Sequence, residues 1–138
     1  MNDDELRQAL ATLEAYKNQL NALTQQSQLL QVSFEETLRA SETLNAFAKA
    51  KEGDEILVPV GASSFVTAKV ASSTKAIVGI GNRISVEKTV DDAAAYINEN
   101  MAEIKDALTK LNESMQEMDA AARSLTAAVQ QEYQRRQQ

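Results

Sequence analysis

Three stretches of this sequence carry residue types from which chemistry could be built, and each has a plainer reading. Gly79-Ile-Gly81-Asn-Arg-Ile holds two of the three glycines of a dinucleotide fingerprint, whose backbone amides would approach a pyrophosphate. That fingerprint must open a helix, whereas strand-forming residues lie on both sides here, so a turn is expected and no cofactor. Asp91 and Asp92 are adjacent carboxylates of the kind that divide acid and base roles, but Thr89 stands just before them. Thr89-Val-Asp-Asp reads instead as a helix start, with Thr89 as the cap and acids in the first turn. Asn112-Glu-Ser114 fits a glycosylation acceptor, yet it falls inside a helical pattern in a chain not expected to be secreted, so chance is the reading.

The composition excludes more than it offers. There is no His and no Cys, which removes the usual general base, the commonest transition-metal ligand and any disulfide or thiolate metal site. With no convergent polar cluster either, an enzyme is the weakest of the functional readings. A net charge of −6 argues against a nucleic-acid backbone as partner. Met-Asn-Asp-Asp-Glu at the start lacks a basic stretch before an apolar run, so no signal peptide is expected. No apolar run approaches the ~20 residues of a membrane span. A cytoplasmic protein without membrane contact is the expectation.

All four glycines and the single proline lie in or beside residues 54–89; the flanks are rich in Ala, Leu, Gln, Glu and Lys. One domain over residues 1–138 is expected, in three parts: an N-terminal helix (1–52), a β region (54–88) and a C-terminal helix (89–138). In the first, Leu6, Ala9, Leu13, Tyr16, Leu20, Leu23, Ser27, Leu30, Phe34, Thr37, Ser41, Leu44 and Ala48 step by threes and fours. A stripe this long predicts a coiled coil, ~65 Å in length. Lys49 and Lys51 suit its last turn and Gly53 its left-handed cap. The last part repeats the spacing through Val90, Ala94, Ile97, Met101, Ile104, Leu108, Leu111, Met115, Met118, Ala122, Leu125 and Val129. The methionines at 101, 115 and 118 therefore read as seam packing rather than a ligand groove. Arg135 and Arg136 suit the helix end.

Between the helices the period falls to two. Glu55–Val60, Ser64–Val70, Lys75–Ile80 and Ile84–Lys88 read as strands, forming a hairpin, a connector and a second hairpin. Pro59, which cannot donate to a ladder, belongs at an edge or bulge. Several runs are apolar on both faces, and a chain of this size has nothing left to cover them. Isolated hairpins are marginal in water, so these strands are expected to complete a sheet or barrel with other subunits.

If the β region is the bend, the helices pair antiparallel with partner numbers summing to 138: Leu13 with Leu125, Tyr16 with Ala122, Ser27 with Leu111, Leu44 with Ala94, Ala48 with Val90. A shift by one whole heptad preserves the pattern equally well. At the ends of the arms stand Leu6, Leu10 and Leu13 from the first helix and Leu125, Val129 and Tyr133 from the second. Leu10 and Tyr133 lie off the stripe, so a two-helix seam cannot hide them, and fraying would expose their neighbours. Leu29, Val32, Leu38 and Phe47 also lie off it; Phe47, near the strands, is expected to pack on them or on another subunit.

The order helix, two hairpins, helix resembles prefoldin. Glu55-Ile-Leu-Val-Pro-Val-Gly-Ala-Ser-Ser-Phe-Val is similar to the first hairpin of its alpha-type subunits, and Ala76-Ile-Val-Gly-Ile-Gly with Ile84-Ser-Val-Glu-Lys-Thr-Val-Asp-Asp-Ala to the second. Two hairpins indicate the alpha class, and the short acidic form the archaeal type. The resemblance implies a mainly α fold: a long antiparallel two-helix coiled coil whose helices are joined by two hairpins that enter an inter-subunit β-barrel. It implies a hexamer of two alpha and four beta subunits, and an ATP-independent chaperone without cofactor or metal. Arm tips would hold unfolded polypeptides and pass them to a group II chaperonin. Ile56, Val58, Val60, Phe65, Val66, Ile77, Val78, Ile80, Ile84 and Val86 would build the hub, and Leu6, Leu10, Leu13, Leu125, Val129 and Tyr133 would contact clients. The rival is a structural or tethering coiled coil with no holding activity.

Overall fold

A computed structural model describes every residue from Met1 to Gln138. The order is α1 (Asp3–Ala48), β1 (Glu55–Gly61), β2 (Ser64–Lys69), β3 (Lys75–Gly81), β4 (Ile84–Thr89) and α2 (Val90–Gln137). Two long helices are thus joined by two hairpins, each an antiparallel two-stranded sheet on its own. The chain divides into two compact units, Met1–Ser33 with Ile104–Gln138, and Phe34–Glu103.

Both helices start on local chemistry. The Asn2 side chain accepts from the Glu5 amide at 2.8 Å and the Glu5 carboxylate accepts from the Asn2 amide at 2.9 Å. This reciprocal capping box satisfies two amides that the helix itself leaves unpaired. Thr89 Oγ1 accepts from the Asp92 amide at 3.1 Å and caps α2 as expected. The end of α1 departs from expectation: it stops at Ala48, before Lys49 and Lys51, and Gly53 does not cap it. Gly53, at φ +89°, sits in a turn in which the Asp54 amide donates to the Lys51 carbonyl. The cause is the neighbouring ladder. The Gly53 amide donates to the Val70 carbonyl at 2.8 Å and the Val70 amide to the Asp54 carbonyl at 2.9 Å, drawing residues 53–54 into the first hairpin.

In the unit formed by Met1–Ser33 and Ile104–Gln138, the seam shows directly. Leu6, Ala9 and Val129 form a buried cluster against which Leu13 and Leu125 pack, which agrees with the pairing of Ala9 with Val129 and Leu13 with Leu125. In the unit Phe34–Glu103, buried Ser41 donates from Oγ to Asn98 Oδ1 at 2.7 Å. A shift by one heptad would move Asn98 out of reach, so this bond excludes the alternative register there. Every stripe residue of both helices is at least half-buried except Ala48, which is exposed where α1 ends.

The hairpins are near-copies of one another, offset by twenty residues. Val58 pairs with Val66 and Val78 with Val86; in each, one extra residue (Val60, Ile80) breaks the register before a glycine. Both turns are two residues long, Ala62-Ser63 and Asn82-Arg83, and all four of these residues have positive φ. That geometry matches the strand twist but suits Asn and Gly, and Ala62 and Ser63 are held there against their steric preference. Replacing Ser63 by Gly is expected to raise stability by about 0.5–1 kcal/mol, read as a higher denaturation midpoint of the assembled protein with unchanged size.

Candidate apolar tip and subunit-facing hairpins

The hairpins expose apolar side chains on both faces. Of the ten residues assigned to the hub, eight are exposed, Val78 is buried and Val86 half-buried. The equivalent faces of the two copies differ: Val78 is 7% exposed and its counterpart Val58 is 37% exposed. Where the second hairpin runs into α2, Lys88 stands with Nζ 5.5 Å from the Tyr96 ring centroid. The first hairpin keeps the corresponding face open. Leu57, on its other face beside Pro59 and Phe65, is more exposed than any of these valines. It stands outside the hub set above, on the face opposite Ile56, Val58 and Val60. With every strand paired on one side only, each hairpin also presents unsatisfied edges.

The six expected tip residues separate into two groups. Leu10 and Tyr133 are exposed, at 42% and 46%. Leu6 and Val129 are buried, and Leu13 and Leu125 pack partly buried beside them. In the closed arm the latter four therefore face the seam, and a client could meet them only when the helix ends part. Below Leu10 runs a shallow groove of about 460 Å³ bordered by Leu13, Leu20 and Ala122, with Glu14, Lys17, Asn21 and Thr126 at its polar parts. Its apolar floor and mixed rim suit contact by area rather than by a specific polar pattern.

Sequence reasoning missed the residue that terminates this seam. Glu132 is a heptad step past Val129 and only 6% exposed. Arg135 donates to it from Nη2 at 2.6 Å and Nε at 3.0 Å, Arg136 from Nε at 2.9 Å, and the Met1 α-ammonium lies 3.3 Å away. Arg136 also reaches α1, at 2.7 Å from Asp3 Oδ1 and 3.0 Å from the Met1 carbonyl. The Arg135 guanidinium, then that of Arg136, hold the Glu132 carboxyl far below the usual carboxylate range, against the opposing effect of burial. The signal lies in the unbroken count of three and four past Val129; a stripe that admits only uncharged residues ends one step too early.

A carboxyl depressed in the folded state stabilises fully above its ordinary value near 4.5, and that contribution is lost as pH falls toward the folded value. Glu132→Gln should therefore have a lower unfolding midpoint than the natural chain at neutral pH, with the gap closing as pH drops below about 5. A gap independent of pH would show that Glu132 is not ionised in these contacts.

Comparison with known proteins agrees with this architecture. The family model for prefoldin subunits matches residues 16–135. The prefoldin subunit alpha of Methanopyrus kandleri is 36% identical over 108 residues, covering 75% of this chain and 69% of the relative. That of Methanothrix thermoacetophila is 29% identical over 104 residues, covering 75% and 68%. Among solved structures, a chain of filamentous PFD from Methanocaldococcus jannaschii superposes with a TM-score of 0.70 at 26% identity, covering 88% of this chain and 98% of that one. The prefoldin beta subunit of Thermococcus strain KS-1 shares the fold, with a TM-score of 0.61 at 21% identity over 92% of this chain and 90% of that one. The match over most of its length, carried by two helices and the paired hairpins between them, means that this chain belongs to the prefoldin family of chaperone subunits.

Proposed function

We propose that this chain is the alpha-type subunit of a cytoplasmic, ATP-independent holding chaperone with no enzymatic activity. It keeps unfolded or nascent polypeptides from aggregating by contact at the tip and delivers them to a group II chaperonin. In this reading it assembles with beta-type subunits, two alpha with four beta, through the hairpins. The hub is Ile56, Val58, Val60, Phe65, Val66, Ile77, Val78, Ile80, Ile84 and Val86, with Leu57 added on the second face. The observation that carries the holding role is the exposure of Leu10 on the border of an apolar groove, with Tyr133 exposed near the end of α2, in a member of a chaperone family. Apolar contact of this kind depends on area and tolerates many sequences, as a client set of unfolded chains requires. Leu6, Leu13, Leu125 and Val129 join the contact when the seam opens.

A second reading, a structural coiled-coil oligomer without holding activity, draws on the filamentous assembly of the Methanocaldococcus jannaschii relative and on the open hairpin edges here. Light scattering of a denatured model protein, without nucleotide, separates the two. The natural oligomer is expected to suppress aggregation. Leu10→Ser with Tyr133→Ser should weaken holding by about tenfold or more at unchanged oligomer size, since each apolar side chain withdrawn from water is worth ~1.5–3 kcal/mol. Equal aggregation with and without the natural oligomer would leave only the structural reading. For the hub, Val60→Asp is expected to release the chain from its partners, seen as a fall in mass by light scattering on a sizing column.

A further inference from the structure

A two-helix seam that served only to stay shut would end on an apolar side chain, and this one does not. Counting on from Val129, the next stripe positions are Glu132 and Arg136, and in the register of Ala9 with Val129 the carboxylate falls opposite Leu6. Glu132 is as withdrawn from water as Val129. Its recorded partners are all cations: Arg135, Arg136 and the Met1 α-ammonium. Arg136 carries the link across to α1 through Asp3 and the Met1 carbonyl.

We infer that Glu132 and Arg136 form a charge latch that gates the apolar end of the seam, withholding Leu6, Ala9 and Val129 when made and releasing them to a client when broken. A desolvated carboxylate is tolerated at a seam position only while cations neutralise it. Loss of a partner leaves an uncompensated buried charge, and the nearest relief is hydration by parting the helix ends. A leucine at the same heptad position would seal the tip unconditionally. The latch is within reach of solvent: Asp3 and Arg135 are largely exposed and Arg136 is one-third exposed, so its outer half is screened by salt while the Glu132 side is not. Leu10 and Tyr133, exposed in the closed state, supply the first contact, and the gated residues supply the larger one.

The inference rests on the reading that the tip holds clients, and its test separates the two. The assembled oligomer is prepared with the natural chain, with Glu132→Gln and with Glu132→Leu. Amide hydrogen exchange is followed over residues 3–13 and 125–133, alongside suppression of aggregation of a denatured model protein. Glu132→Gln is expected to accelerate exchange in both segments by about tenfold or more, leave the hairpin amides unchanged, and increase holding per oligomer. Glu132→Leu is expected to slow exchange below the natural rate and reduce holding to what Leu10 and Tyr133 provide. Unchanged exchange in Glu132→Gln overturns the latch, whatever happens to holding. Altered exchange with identical holding in all three proteins overturns the gating. If Leu10→Ser with Tyr133→Ser holds clients normally even when combined with Glu132→Leu, which keeps the seam sealed, it is the tip that has failed as the binding site, and the gating of holding fails with it.

Discussion

Two helices packed side by side can bury only a line of residues, and this limit governs the rest of the molecule. Each helix has one neighbour, so a side chain pointing into the seam is covered on one flank and open on the other. No large side chain reaches complete burial, and the stripe is mostly half-buried. A core of this kind is stabilised by its length rather than by its depth. It also tolerates small polar residues. Ser27 and Ser41 occupy buried stripe positions, and the Ser41 hydroxyl is satisfied there by Asn98 at modest cost.

The same shortage of covering material determines the behaviour of the hairpins. Two two-stranded sheets have four edges and four faces, and the chain supplies cover for little of that surface. The twenty-residue near-repeat sharpens the point, because the copies share register, bulge and turn length yet differ in burial. Val78 of the second copy is buried, while its counterpart Val58 in the first stays open. Similar strand chemistry thus has two fates within one chain. The open copy and the free edges are surfaces that another subunit can complete by strand pairing and apolar contact.

Much of this was legible in the sequence because it is carried by periodicity. The two stripes, the strand positions to within a residue, the bulge near Pro59 and the Thr89 cap each follow from local spacing. What escaped depends on partners that spacing does not encode. Asp3, Asp4 and Glu5 stand in the first turn of α1, where any carboxylate suits the helix dipole, and the capping box between Asn2 and Glu5 becomes visible only as a pair of hydrogen bonds. Gly53 suits a helix cap by type, but pairing with Val70, seventeen residues downstream, drew its own amide and its neighbour Asp54 into a ladder. The register was ambiguous by a heptad until one polar contact, Ser41 to Asn98, removed the choice. Tip residues chosen for being apolar turned out to include both surface and seam, a distinction that depends on where the partner helix lies.

Polar groups in the seam therefore do different work according to their charge. The neutral pair of Ser41 and Asn98 satisfies itself with one bond, needs no ion and fixes alignment at small cost. An ionised group at the same depth cannot behave that way, because its desolvation is large and its compensation comes from long side chains that reach solvent. Placing Glu132 at the last buried step makes closure of the end conditional on Arg135, Arg136 and the start of α1. Inside the seam such a group would weaken the whole arm. At its end it affects only the final turns, where local opening costs least. Conditional closure is compatible with a stable seam at that position, and that is where the carboxylate stands.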